Sequence, residues 1–328
     1  MEMFQKLAEN VKGKGYRIVF PEATDKRVLG AAIRLKADNL VEPILIGKEE
    51  EVRAAAEENH WYMGDIQIID PETYDQFDEM VEAFVERRAG KNTEEQGREM
   101  LKDNVYFGTM LVYMDKADGL VCGALYSTGD TVRPALQIIK TRPGVHLTSG
   151  AFVMVPPEQD GQSFVFGDCA ININPTAEQL AEIAIECAKT AEVFDIDPKV
   201  AMLSFSTKGS GASPEVDKVV EATKLAQKLA PQYPIDGELQ FDAAYSRIVG
   251  AQKAPDSKVA GNATVFVFPE IQSGNLGYKL AQRLGNYQAI GPILQGLNKP
   301  ISDLSRGCVE DDVYKISIVT ANLATMDK

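Results

Sequence analysis

The chain has 328 residues, 45% hydrophobic and 25% charged, which rules out a disordered polypeptide and fits roughly two domains of 100 to 200 residues. A formal net charge of −14 argues against nucleic acid and acidic membrane surfaces as partners, because both call for a basic footprint. No apolar run approaches the roughly 20 residues that span a bilayer, and Met1 to Lys6 lacks the charged-then-apolar order of a signal peptide, so a cytoplasmic protein is expected.

In chain order, Phe4, Leu7 and Val11 share a helical face ending at Gly13-Lys14-Gly15, and Tyr16 to Phe20 is a β-rich run stopped by Pro21. The polar loop Glu22 to Arg27 precedes a helix from Val28 to Leu35, a strand from Pro43 to Gly47 and an Ala- and Glu-rich helix from about Lys48 to Asn59. A strand at Ile66 to Ile69, a helix through Val81, Phe84 and Val85, one longer helix from about Thr93 into Met114, and a buried strand at Gly119 to Gly123 continue the alternation. This grammar predicts a parallel sheet covered on both faces. Ligands sit beyond the carboxyl ends of such strands, which directs attention to Ser127, Thr128, Thr131 and Arg133 in the loop before Pro134. Arg133 is either an anion contact or the partner of Asp130 across a tight turn.

Around Pro143-Gly144 the texture changes. Ala151 to Val155 and Ser163 to Gly167 predict an antiparallel hairpin across the turn-rich stretch 156–161. A helix from Thr176 to about Phe194, a strand from Val200 to Phe205, a helix from about Pro214 to Leu229, the stretch Ile235 to Glu238, a strand from Thr264 to Phe268, a loop from Pro269 to Asn275 and a helix near Leu280 follow. The loop Ser206-Thr207-Lys208-Gly209-Ser210-Gly211 lacks the order of a P-loop, and G-x-G-x-x-G is absent. Its backbone N–H groups form either a phosphate cradle or ordinary capping.

Cys122, Cys169, Cys187 and Cys308 form no C-x-x-C pair, and His60 and His146 form no H-E-x-x-H. Neither a disulfide framework, a zinc site nor a Ser-His-Asp triad is expected, so chemistry falls to carboxylates, hydroxyls and arginines. The richest such stretch is Leu304-Ser305-Arg306-Gly307-Cys308-Val309-Glu310-Asp311-Asp312, followed by Val313, Ile316, Val319 and Leu323 at helical spacing. Acidic residues suit a first helical turn. Ser-Arg-Gly ahead of them adds a hydroxyl and a guanidinium beside backbone N–H groups, a place for developing negative charge, with one of the three carboxylates as base. Cys308 reads as a packed thiol whose acidic neighbours raise its pKa.

Pro21-Glu22 with Asp25 and Arg27, Ser127 through Arg133-Pro134, Ala201 to Ser210, Asp236 to Gln240, and Asp303 to Gly307 together resemble phosphotransacetylase, or phosphate acetyltransferase, of the short bacterial type, in order along nearly the whole chain. The resemblance implies reversible reaction of acetyl phosphate with coenzyme A, by direct thiolate attack in a ternary complex, with both as substrates and no further cofactor. It implies an α/β fold with the two-domain αβα architecture of the isocitrate/isopropylmalate dehydrogenase-like kind, residues 1–142 plus 292–328 and residues 143–291, an active site in the interdomain cleft, and a homodimer. Carried over by motif, Asp312 resembles the base, on its spacing from Ser305. Ser305 resembles the hydroxyl that orients the thiol, and Arg306 the charge stabiliser. Arg133, Arg87 and Arg27 resemble substrate-binding arginines, with Arg88 adjacent to the second. Ser127, Thr128, Thr131, Ser206, Thr207, Lys208, Gly209 and Asn275 complete the expected substrate contacts. The alternatives are a transferase of longer acyl groups and a non-catalytic acetyl-CoA-sensing module.

Overall fold

The computed structural model describes residues 2–158 and 161–326; Gln159 and Asp160, in the turn expected between the hairpin strands, lie outside the described residues. The strands are β1 (Arg17–Phe20), β2 (Glu42–Ile46), β3 (Gln67–Ile69), β4 (Gly119–Cys122), β5 (Ser149–Val155), β6 (Phe164–Gly167), β7 (Val200–Leu203), β8 (Ile235–Leu239), β9 (Val265–Val267), β10 (Gln288–Gln295) and β11 (Ile301–Asp303). All eleven are hydrogen-bonded into one sheet, in the order β3-β2-β1-β4-β11-β10-β5-β6-β9-β7-β8.

That single extended sheet overturns the expected two-domain αβα architecture of the isocitrate/isopropylmalate dehydrogenase-like kind with its site in an interdomain cleft. The physical reason lies in two strands that the sequence hid. β10 pairs antiparallel with β5 and β11 pairs parallel with β4; β10 carries Gly291-Pro292, a dipeptide that interrupts a β pattern, and β11 is three residues long.

By contact density the chain divides into Met1–Pro143 with Leu297–Lys328, and Gly144–Gly296. In the first unit β3, β2, β1, β4 and β11 are all parallel. Ile18, Val19 and Phe20 are fully buried, as a central strand of a two-faced sheet requires. The helix Glu310–Met326 packs on the helices Glu2–Val11 and Lys26–Ala37 and lies over β4, where Asn322 Nδ2 donates to Leu7 O at 2.9 Å. The stretch from Thr93 to Met114, expected as one helix, is two, Glu94–Met100 and Asn104–Tyr113. Asp103 makes the break by accepting the free N–H groups of Val105 and Tyr106. Gly108 lets the second helix approach the sheet, since a Cβ there would stand 2.9 Å from Val19 Cγ1.

In the second unit β5 and β6 form the expected antiparallel pair, and β6, β9, β7 and β8 continue in parallel. Its core is aromatic: Phe164, Phe166 and Phe266 meet edge to face at 5.5 and 5.6 Å, and Tyr278 stacks on Phe152 at 4.0 Å. Contacts of this kind add about 0.5–1.5 kcal/mol each beyond burial. The helix bearing Leu280 starts at Ile271, capped by Glu270, so Asn275 is helical rather than in a loop. Among the described residues no helix is long and apolar enough to cross a membrane.

Candidate functional site

The candidate site in the first unit grows from the ends of β1, β4 and β11. Just past β1, the buried Glu22 carboxylate accepts four backbone N–H groups, those of Gly123 and Ala124 at 3.0 Å, Leu125 at 2.6 Å and Tyr126 at 2.9 Å. One acid thereby fixes the whole turn after β4. Asp25 caps the helix Lys26–Ala37 and takes a two-pronged contact from Arg27, Nε to Oδ1 at 2.9 Å and Nη2 to Oδ2 at 2.8 Å. The rest of the Arg27 guanidinium donates to Arg306 O at 2.9 Å, Cys308 O at 3.2 Å and Ala124 O at 2.9 Å. Its five N–H donors are therefore all engaged within the chain. Arg27 ties the turn after β4 to the Ser305 loop, where a substrate contact was expected. Burial works to raise the Asp25 carboxyl, but the hydrogen bonds and charge of Arg27 outweigh it and hold the pKa below its usual value.

The turn after β4 runs into the short helix Thr128–Pro134, capped by Ser127, whose hydroxyl donates to Asp130 Oδ2 at 2.7 Å and accepts from Asp130 N. Thr128 is exposed, whereas Thr131 is fully buried and its Oγ1 makes no hydrogen bond. Arg133 meets Asp130 at 3.4 Å with the two side chains 58% and 47% exposed, a surface pair worth about 0–1 kcal/mol and readily surrendered. Arg87 donates to Ile138 O at 2.5 Å and Ile139 O at 2.8 Å and stands over the Tyr113 ring at 5.0 Å, closing the turn that follows this helix. Its neighbour Arg88 donates to Asn92 at 2.8 Å.

Past β11, Leu304 is buried while Ser305, Arg306 and Gly307 are exposed. Cys308 N donates to Ser305 O at 2.9 Å, and Gly307 N reaches Ser305 Oγ at 3.3 Å. Among the described residues the Arg306 guanidinium has no hydrogen-bond or ion-pair partner. The three acids that follow are separated by their surroundings. Glu310 lies beside Gly30, where a Cβ would stand 3.1 Å from its Oε2. Asp311 pairs with Lys315 at 2.7 Å and Arg34 at 3.3 Å; burial pushes its pKa up, but the two cations win and lower it. Asp312 Oδ2 accepts Val309 N at 3.0 Å, on the loop side of the helix start. The Cys308 thiol is pushed up to about 11, first by burial and then by Asp312, Asp25 and Glu22 against the opposing charge of Arg27.

In the second unit the stretch Ser206 to Gly211 is satisfied by its own hydroxyls and by residues of β8 and its flanks. Gly209 N donates to Glu238 Oε1 at 2.7 Å and Ser206 Oγ to the same oxygen at 2.8 Å. Ser206 N goes to Ser204 Oγ, Thr207 N to Ser210 Oγ, Lys208 N to Glu238 O, Ser210 N to Thr207 O and Gly211 N to Ser206 Oγ. No N–H of the row is left for a phosphate. Lys208 Nζ binds Asp236 Oδ1 at 2.5 Å and Gly237 O at 2.9 Å, and Thr207 Oγ1 exchanges hydrogen bonds with Gln240. Asn275 Nδ2 donates to Cys169 O at 3.1 Å. Among the described residues no three His, Cys, Asp or Glu side chains converge as metal ligands.

The first unit thus places Ser127, Thr128, Thr131 and Arg133 at the start of or within the short helix after β4, and Ser305, Arg306 and Asp312 on the loop after β11 and the first turn of the helix that follows, with Glu22 and Arg27 holding the two intervening turns. Glu22 and Glu238 stood in the motifs without a role; the signal that finds them is an acid at a strand end facing a Gly-rich turn elsewhere in the sequence. The profile of the family described as phosphate acetyl/butaryl transferase matches residues 2–321. The chain is 56% identical to a phosphate acetyltransferase of Bacillus subtilis over 98% of both sequences. It superposes on a phosphotransacetylase from Streptococcus pyogenes with a TM-score of 0.96, at 58% identity over 99% of this chain and 98% of that one. A branched-chain phosphotransacylase from Enterococcus faecalis, at 19% identity, a TM-score of 0.66 and coverage of 94% and 99%, shares the fold. With five motifs in order and a match along almost its entire length, the chain belongs to the phosphate acetyl/butaryl transferase family.

Proposed function

We infer that this chain catalyses the reversible transfer of an acetyl group between acetyl phosphate and coenzyme A. The reaction class is supported by full-length identity to phosphate acetyltransferases. The observation that carries it to residues is Arg306, a guanidinium with no partner among the described residues, on one short loop with the Ser305 hydroxyl and just ahead of the helix whose first turn bears the Asp312 carboxylate.

A thiol of pKa about 8.5 is only a few per cent thiolate at neutral pH, and the thiolate is the nucleophile. Full transfer of its proton to a carboxylate of pKa about 3.9 is uphill by roughly 6 kcal/mol. Transfer concerted with attack avoids that cost. Asp312 takes the proton, Ser305 orients the sulfur, and Arg306 stabilises the negative charge that develops. Sulfur bonds to the acetyl carbon, the carbon–oxygen bond to phosphate breaks, and its electron pair leaves on phosphate. Arg133, freed from its exposed pair with Asp130, meets that phosphate. No acyl-enzyme is formed, so the two substrates react in a ternary complex.

The chain is further proposed to pair with a second copy through the helix Ile271–Leu284, whose Leu276, Leu280 and Leu284 are 60%, 56% and 80% exposed at four-residue spacing. Leu280→Glu is expected to give monomers in light scattering; an unchanged mass moves the interface elsewhere.

Thioester absorbance with acetyl, propionyl and butyryl phosphates tests the reaction. The acetyl donor is expected to react fastest. A faster butyryl donor shifts the reading to longer acyl groups, and no thioester from any donor leaves an acetyl-CoA-sensing module.

A further inference from the structure

Four buried carboxylates stand in or just past strand ends: Glu22 after β1, Asp168 after β6, Glu238 in β8 and Asp303 in β11. Three of them are well supplied with donors. Glu22 takes four backbone N–H groups. Asp168 takes those of Gly150, Ala170, Ile171 and Asn172 together with Asn172 Nδ2. Glu238 takes Ser206 Oγ and Gly209 N.

Asp303 breaks the pattern. It is 0% exposed, neither carboxylate oxygen makes a hydrogen bond, and Thr131 Oγ1, equally buried, makes none either. Buried polar groups are almost always paired, so an orphaned carboxylate beside an orphaned hydroxyl calls for a reason. The neighbours that bear on its titration are the hydroxyls of Thr128 and Thr131, Leu304 N, the Glu22 carboxylate and the Cys122 thiol. Gly123 at φ +113° keeps the space beside it open, since any Cβ there would strike Asp303 Oδ1 and Leu304 N. Burial raises the Asp303 pKa to about 6. Asp303 lies two residues before Ser305, and Thr131 two residues before Arg133.

We propose that Asp303 is a positioning residue for acetyl transfer, its carboxylate drawing the Thr131 and Thr128 hydroxyls onto its open oxygens and locking the helix Thr128–Pro134 to the strand end that bears Ser305 and Arg306. It rests on the reading of that loop as the reaction site. The ionised carboxylate accepts both hydroxyls, whereas the protonated form gives up one acceptor, so the lock closes as pH rises through about 6. Ionisation also has a stability signature. A carboxyl whose folded pKa lies above its unfolded value contributes stability that is full below the unfolded pKa and lost as pH rises through the folded one.

The test compares wild type with Asp303→Asn, Thr131→Val and Thr131→Ser in thioester formation from pH 5 to 8.5, with melting temperatures over the same range. Asp303→Asn is expected to lower kcat about tenfold at pH 8, leave both KM values within about twofold and flatten the acid limb near pH 6, because a small misplacement of reacting groups acts on turnover. Its melting temperature relative to wild type should rise from pH 5 to pH 8. Thr131→Val should lower kcat in the same way and Thr131→Ser should restore it. Wild-type kcat and an unchanged acid limb in Asp303→Asn overturn the proposal. If that variant does not fold, equal kcat in Thr131→Val and Thr131→Ser overturns it instead. A wild-type chain that forms no thioester sinks the functional reading itself, whereas an active wild type matched by Asp303→Asn sinks only the role given to Asp303.

Discussion

Two polar stretches behave in opposite ways. Ser206 to Gly211 and Ser305 to Asp312 each offer a hydroxyl, a cation and glycine after a strand, the second adding three carboxylates. In the first, each backbone N–H from Ser206 to Gly211 has an acceptor and Lys208 is paired with Asp236. In the second, the hydroxyl of Ser305 keeps donor capacity and Arg306 is without a partner among the described residues. Polar residues in a loop are thus not a site until their partners have been counted. The loop whose groups are spent on partners within the protein holds structure, and the loop with groups to spare can act on something else.

The sharpest way to break the contrast is Asp312→Asn. Loss of a general base costs about 10²–10⁴-fold, so kcat is expected to fall by at least about a hundredfold with both KM values little changed; near-normal turnover in a steady-state assay would move the base elsewhere. Arg306→Ala comes next, with a fall in kcat of about 10²-fold, the scale of one oxyanion-type contact. A loss confined to KM would make Arg306 a binding residue only. Glu238→Ala probes the opposite loop: it leaves a buried hydroxyl and N–H without their acceptor, at a cost of about 1–3 kcal/mol in urea unfolding, while kcat per folded molecule stays within about threefold. A large drop in kcat without loss of stability would transfer the chemistry to that loop. Arg133→Ala is the mildest of the four. Its exposed pair with Asp130 is worth no more than about 1 kcal/mol of stability, so the expected effect is a raised KM for acetyl phosphate, and unchanged kinetics would return Arg133 to its surface pair.

The apolar runs of β1, β2, β4 and β9 were legible because continuous branched and aromatic residues between turn signals leave few other readings. β10 was not, since Gly291-Pro292 breaks the local pattern and only pairing with β5 makes it a strand. The helix break at Asp103 was missed for a similar reason: its carboxylate competes with the helix for the N–H groups of Val105 and Tyr106, a local option that helical spacing hides. Around the site, the motifs pointed to Arg27 and Lys208 as substrate contacts, whereas in the structure Arg27 holds Asp25 and three backbone carbonyls and Lys208 holds Asp236 and Gly237 O. The carbonyls that Arg27 binds lie in two other loops, at Ala124 and at Arg306 and Cys308, and no one-dimensional pattern brings those positions together. The choice of Asp312 rests on its spacing from Ser305; beside it, Arg34 and Lys315 occupy Asp311, and Glu310 stands next to Gly30.

The buried thiol of Cys308 has a consequence for chemical selectivity. An enzyme that handles activated acetyl groups risks acylating its own nucleophiles, and a resident sulfur next to Ser305 and Arg306 would be the first casualty. With its pKa near 11, only about one such side chain in ten thousand is thiolate at pH 7. Held as a thiol, Cys308 is a poor nucleophile, and the same protonation slows its reaction with alkylating reagents and mild oxidants.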